Sequence, residues 1–179
     1  AYIGAAASCI ALGALDQAAS FADQALAINE SIPGFNEILG IICQHKSKPD
    51  QAIECYQKEL AVNPQASNSL LNLGRLLLQK GQEAAAIESL TKASALAPSE
   101  QCSLLLAQAY QNLRQFDEAI VEYKKLNINR PKNKLIPFNL GLCLLNTGNN
   151  IDAIEAFKIA IQLDQKFIAA WGNIGSALK

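Results

Sequence analysis

The sequence predicts an all-α chain of stacked antiparallel helix pairs, and two observations carry the prediction. The first is local. In residues 70–98, Leu70, Leu73, Gly74 and Leu77 fall at i, i+3, i+4, i+7 spacing, which marks one helix face. Gly81 supplies the positive φ at which helices commonly stop. Glu83 suits the positive end of a following helix, whose inner face carries Ala86, Leu90 and Ala93 and which Pro98 closes. The second observation is periodic. Gly40 and Gly74 stand 34 residues apart, as do Gly141 and Gly175, Pro64 and Pro98, Ala119 and Ala153, and the series Ala18, Ala52, Ala86. A lone helix pair of this size buries too little apolar surface to stand by itself, so its copies must stack.

Taken in order, residues 1–12 form a first helix, with Tyr2 near the place of a large opening residue. Gly13 turns the chain and Asp16 opens a second helix lined by Ala18, Ala22 and Ala25. After Pro33 and Gly34, the next pair carries Leu39 and Gly40 in one helix and Ala52 and Tyr56 in the other. Its turn lacks Gly. Ser47 is expected to cap the new helix, with Pro49 in its first turn, where a missing N–H does no harm. In the fourth pair Ala107 replaces the helix Gly and Arg114 the turn Gly, while Tyr110, Ala119, Tyr123 and Pro131 keep the register. Gly74 to Ala107, Ala86 to Ala119 and Pro98 to Pro131 are steps of 33. The missing residue is assigned to the connection Pro98, Ser99 and Glu100, because a deletion inside a helix would rotate all later side chains by about 100°. The fifth pair keeps Leu140, Gly141, Leu144, Gly148, Ala153, Phe157 and Ala160 in phase. Beyond Asp164, Phe167, Trp171, Ile174, Gly175 and Leu178 mark one further first helix.

This pattern resembles the tetratricopeptide repeat over essentially the whole chain. The resemblance implies a right-handed α-α superhelix forming a single array, with repeats at about 1–32, 33–66, 67–98, 99–132 and 133–166 plus a helix at 167–179. An array ending on a Trp, Ile and Leu stripe reads as a fragment of a longer one, since terminal repeats need a polar outer face. The alternative is that this last helix is itself the solvating cap, with Phe167 and Trp171 packed inward.

Composition narrows the function classes. A formal net charge of −1 gives no electrostatic case for nucleic acid or an anionic membrane. No apolar run reaches spanning length and no leader-like segment opens the chain. Five cysteines without CxxC spacing read as small packing residues of a reducing, cytoplasmic protein, Cys9 and Cys43 in equivalent inward positions and Cys143 beside Leu144. His45 has no carboxylate partner, no Gly-rich phosphate loop occurs, and no Ser or Cys has a His–Asp pair, so no enzymatic activity, metal or cofactor is expected. Asp16, Asp50, Glu83, Asp117 and Asp152 open second helices, with Lys58, Lys92 and Lys124 further along. These charges read as dipole matching and solvation.

That leaves surfaces. In the third repeat Leu71, Asn72, Arg75, Leu78 and Gln79 lie opposite the paired helix. In the resembled family this side lines a concave groove. The same offset gives Ile38, Ile41 and Gln44 in the second repeat, and Leu104, Leu105, Gln108 and Gln111 in the fourth. In the fifth it gives Phe138, Asn139, Leu142, Leu145 and Asn146, and in the sixth Gly172, Asn173 and Ser176. Arg75 is nearly the only charge, so a clamp of paired Lys and Arg for a terminal carboxylate is not expected, and binding should depend weakly on salt. Asn72, Asn139 and Asn173 match the backbone-binding Asn ladder of the O-linked N-acetylglucosamine transferase superhelix, while Gly4, Ile38 and Leu105 do not. The expected function is a non-catalytic scaffold holding a peptide or partner helix. The alternatives are the substrate-recruiting arm of a glycosyltransferase or sulfotransferase, or a module self-assembling through exposed terminal helices.

Overall fold

A computed structural model describes residues 2–26, 32–127 and 133–178; Pro131 of the expected register lies outside them. The described residues contain eleven helices and no strand. They divide into two compact units, Ala1–Ala97 and Pro98–Lys179.

The first unit holds α1 (Tyr2–Ala11), α2 (Leu15–Leu26), α3 (Phe35–His45), α4 (Pro49–Val62), α5 (Ser67–Gln79) and α6 (Glu83–Leu96). α1 packs on α2, α3 on α4 and α5 on α6, and α2–α3 and α4–α5 join successive pairs. The second unit holds α7 (Glu100–Asn112), α8 (Phe116–Asn127), α9 (Leu135–Asn146), α10 (Asn150–Leu163) and α11 (Ile168–Ala177). There α7 packs on α8, α8 on α9, α9 on α10 and α10 on α11.

Each pair turns through the same backbone motif. At Gly13, Ser47, Gly81, Arg114 and Gly148 the chain takes φ of 75°, 56°, 70°, 59° and 78°. The N–H of each of these residues bonds the carbonyl three back, and the next N–H bonds the carbonyl five before itself. Gly81 N to Leu78 O (3.1 Å) and Gln82 N to Leu77 O (2.9 Å) are one instance. The expectation that Ser47 caps α4 is therefore corrected. Lys48 is the N-cap residue and no side chain caps there, while Ser47 fills the left-handed position that Gly holds elsewhere. Pro49 does sit in the first turn of α4, and Asp16, Asp50, Glu83, Asp117 and Asp152 lie in first turns.

Within a pair, a small residue meets a large one. A Cβ built on Gly40 would lie 2.5 Å from the Tyr56 ring, on Gly74 2.5 Å from Leu90, and on Gly141 2.6 Å from Phe157. The large partners are fully buried, so these glycines set how closely the helices approach. In the fourth pair Ala107 and Tyr123 are both fully buried at the equivalent positions. The connection between α6 and α7 is three residues, against four between α4 and α5 and between α10 and α11. The step of 33 is thus absorbed outside helices, where the two units divide.

The buried carboxylate of Glu59 satisfies the start of α3. It accepts from the backbone N–H of Gly34 at 2.6 Å, Asn36 at 3.1 Å and Glu37 at 3.4 Å. At the end of the second unit Phe167 is half-buried against Phe138, with ring centroids 4.7 Å apart. Trp171, Ile168 and Leu178 of α11 and its C-cap are exposed.

Candidate functional site

Burial of Leu70, Leu73 and Leu77 commits one side of α5 to packing. Helical geometry then leaves Leu71, Asn72, Arg75 and Leu78 on the other side, where all four are half-buried, with Gln79 exposed. In the second unit Leu104, Leu105, Gln108 and Gln111 of α7 and Phe138, Asn139, Leu142 and Leu145 of α9 are likewise half-buried. Ile38 departs from this set. Expected on the open face, it is 4% exposed and belongs to the core around Ala22, Phe35 and Ile42, because the first pair offers mostly alanine there and leaves room for it.

Two polar constellations emerge that one-dimensional spacing does not show. In the first unit the Tyr56 hydroxyl donates to Gln44 Oε1 at 2.5 Å. Burial raises the Tyr56 pKa well above the ordinary phenol value, the Glu37 charge adds to the rise, and the Arg75 charge opposes it. The hydroxyl stays a donor, so Gln44 is held by its carbonyl end and turns its amide N–H groups away. Ile41, Gln44, His45, Asn72 and Arg75 then line an open cleft of about 430 Å³. His45, which the sequence left without a carboxylate partner, is exposed at its rim.

Gln44, Tyr56 and Asn72 recur 67 residues later in the second unit as Gln111, Tyr123 and Asn139. The Tyr123 hydroxyl donates to Gln111 Oε1 at 2.8 Å, and Asn139 lies close enough to influence the Tyr123 hydroxyl. Burial again raises the tyrosine pKa, Cys143 adds to the rise, and the Asn139 amide opposes it. Around this trio stand Gln108, Asn112 and Leu142 where the first unit has Ile41, His45 and Arg75. Phe138 also packs on Phe157, centroids 5.7 Å apart, so part of the predicted face serves the core.

Two other predicted residues bond their own helices. Asn146 Nδ2 donates to Leu142 O and Asn173 Nδ2 to Ala169 O, both at 2.8 Å, each turned onto its own helix. The Gln–Tyr pairs were missed in the sequence, although their shared separation of 12 residues was the available signal. Among the described residues no group of three or more His, Cys, Asp or Glu could hold a metal ion. No helix among them is long and apolar enough to cross a membrane.

Comparison with known proteins bears on the repeat family and the fold. The family model described as "Anaphase-promoting complex, cyclosome, subunit 3" matches residues 45–126, and one described as "Tetratricopeptide repeat" matches residues 104–166. The BBSome complex member BBS4 of Bos taurus is 30% identical over 124 residues, 69% of this chain and 24% of that protein. The Hordeum vulgare protein named "Probable UDP-N-acetylglucosamine--peptide N-acetylglucosaminyltransferase SPINDLY" is 34% identical over 136 residues, 76% of this chain and 12% of that protein. The chain spans a quarter or less of the length of the curated relatives it matches. Among solved structures, YrrB, "a TPR protein with an unusual peptide-binding site", superposes with a TM-score of 0.84 at 21% identity, covering 96% of this chain and 89% of that one. MamA superposes with a TM-score of 0.71 at 29% identity, covering 77% and 81%. Repeat period, turn motif, small-to-large packing and these matches converge: the chain is a tetratricopeptide-repeat protein of the all-α, α-α superhelical class.

Proposed function

We propose that this chain is a protein-interaction scaffold that holds a peptide or partner helix against the first-helix faces of its units. The observation that carries the reading is the composition of those faces. Leu71 and Leu78 flank Asn72 and Arg75 on α5, and Leu104, Leu105 and Leu142 flank Gln108 and Asn139 on α7 and α9. Half-buried leucines offer side-chain contacts while amides satisfy backbone groups, the combination that extended and helical peptides need. The printed description of YrrB as peptide-binding supports the same reading. The test is a display selection of random 12-residue peptides against the chain, followed by titration on Leu71→Ser and Leu105→Ser variants of unchanged helicity. Selected peptides should lose at least tenfold in affinity for one variant or the other. Equal affinity for the parent and both variants would remove the proposed faces from consideration.

A second reading, a substrate-recruiting arm of a multidomain glycosyltransferase, is supported by the match to SPINDLY over 136 residues. The sequence of the full-length gene tests it. A self-assembling role through α11 would appear as a concentration-dependent mass in sedimentation.

A further inference from the structure

We propose that the cleft between α3 and α5 is a subsite for one carboxylate side chain, Asp or Glu, of the bound peptide. This inference rests on the peptide-holding reading and gives it a chemical preference. Every group free to act in the cleft has a hydrogen to donate. Gln44 has its carbonyl oxygen occupied by the Tyr56 hydroxyl at 2.5 Å, which leaves its amide N–H groups for a ligand. Arg75 presents a guanidinium fork, Asn72 an amide NH2, and His45 a ring N–H at the rim. Among the described residues, the side chains of Arg75, Asn72 and His45 make no hydrogen bond or ion pair.

The nearby acid does not serve Arg75. Glu37, on α3, accepts from Ser69 Oγ at 2.8 Å and lies 3.5 Å from Asn68 Nδ2. A half-buried guanidinium without a counter-ion beside donor groups selects an anionic acceptor, and a planar carboxylate matches the fork with two parallel bonds. One permanent cation suits a monoanion better than a phosphate dianion. The equivalent positions of the second unit carry Leu142 for Arg75 and Asn112 for His45, so the preference belongs to the first unit alone.

The probes are N-acetyl-glutamate N-methylamide and its glutamine and phosphoserine counterparts, titrated into the nitrogen-15-labelled chain. The glutamate compound should move the Arg75 Nε–H and the Gln44 and Asn72 side-chain amide resonances saturably, at least fivefold more than the glutamine compound. Arg75→Gln should abolish the response without lowering the melting temperature, and Tyr56→Phe, which frees Gln44 to rotate, should weaken it severalfold. Equal responses to glutamate and glutamine, shifts confined to surface lysines, or a stronger response to phosphoserine would overturn the proposal. If the glutamate response fails while displayed peptides still depend on Leu71 or Leu105, the carboxylate subsite falls and the groove reading stands. The reverse pattern removes the groove reading alone.

Discussion

The two units solve one packing problem and present different chemistry. Both bury a tyrosine whose hydroxyl bonds a glutamine 12 residues earlier, Tyr56 to Gln44 and Tyr123 to Gln111. Both place an asparagine on the next first helix, Asn72 and Asn139. Around that shared frame the first unit places His45 and Arg75 where the second places Asn112 and Leu142. The frame is fixed because a buried hydroxyl needs a partner. The surrounding positions are free because they face outward, and there the repeats diverge. Within this chain, then, a shared buried bond orients the glutamine amide while the side chains around it differ between the units.

The largest expected effect tests whether the units are energetically separate. Phe157 is fully buried against Gly141, and Phe157→Ala should destabilise the chain by about 3–5 kcal/mol in urea titration. Hydrogen exchange should accelerate first in residues 98–178, with protection of 2–97 less affected. Equal loss throughout would mean that the two units unfold as one.

Glu59 distinguishes the first unit in its interior. Its counterpart 67 residues on is the buried Leu126, an apolar filler without a capping role. Glu59→Gln keeps the shape but weakens three bonds to the start of α3, and a loss of about 1–3 kcal/mol is expected by thermal or urea melting. No change would mean that water satisfies those N–H groups equally well.

Alkaline melting compares one thiol from each unit. Burial pushes Cys55 and Cys143 up from 9.0 to about 11, and for Cys55 the neighbouring Cys43 adds to the rise. The folded state favours the neutral thiol. The contribution is therefore fully present below about pH 9 and is lost as pH rises through about 11. The melting temperature should fall across that window, and Cys143→Ala should flatten the fall. A profile unchanged by Cys143→Ala would assign the loss to other groups.

The smallest effect concerns the turns. Ser47 and Arg114 hold φ of 56° and 59° without being glycine, so Gly at either site should stabilise by roughly 0.5–1 kcal/mol. The gain should be smaller at Arg114, whose guanidinium sits 5.8 Å from the Phe116 ring centroid and loses that contact. A larger gain at Arg114 than at Ser47 would show that the ring contact contributes nothing.

Much of the fold was legible in one dimension. Helix pairs, their order, the inward alanines and the one-residue deficit before α7 follow from periodicity, because apolar spacing and chain reach act locally. Turn position was legible too, but its chemistry was misread at Ser47. A serine before a helix has a local use as a cap, yet the tertiary approach of two packed helices demands a left-handed residue there. Ile38 went astray for a related reason. Its helix offset matches Asn72, but the small side chains of the preceding pair leave space that an isoleucine fills.

What the sequence determined by itself is the set of elements and the faces that could be free, since these depend on side-chain period along one helix. What only the tertiary structure decided is which polar groups on those faces are already spoken for. Gln44 has its carbonyl taken by Tyr56, Gln111 has its carbonyl taken by Tyr123, and Asn146 and Asn173 fold back on their own helices. Hydrogen-bond satisfaction depends on distances between helices, which the sequence pattern does not contain.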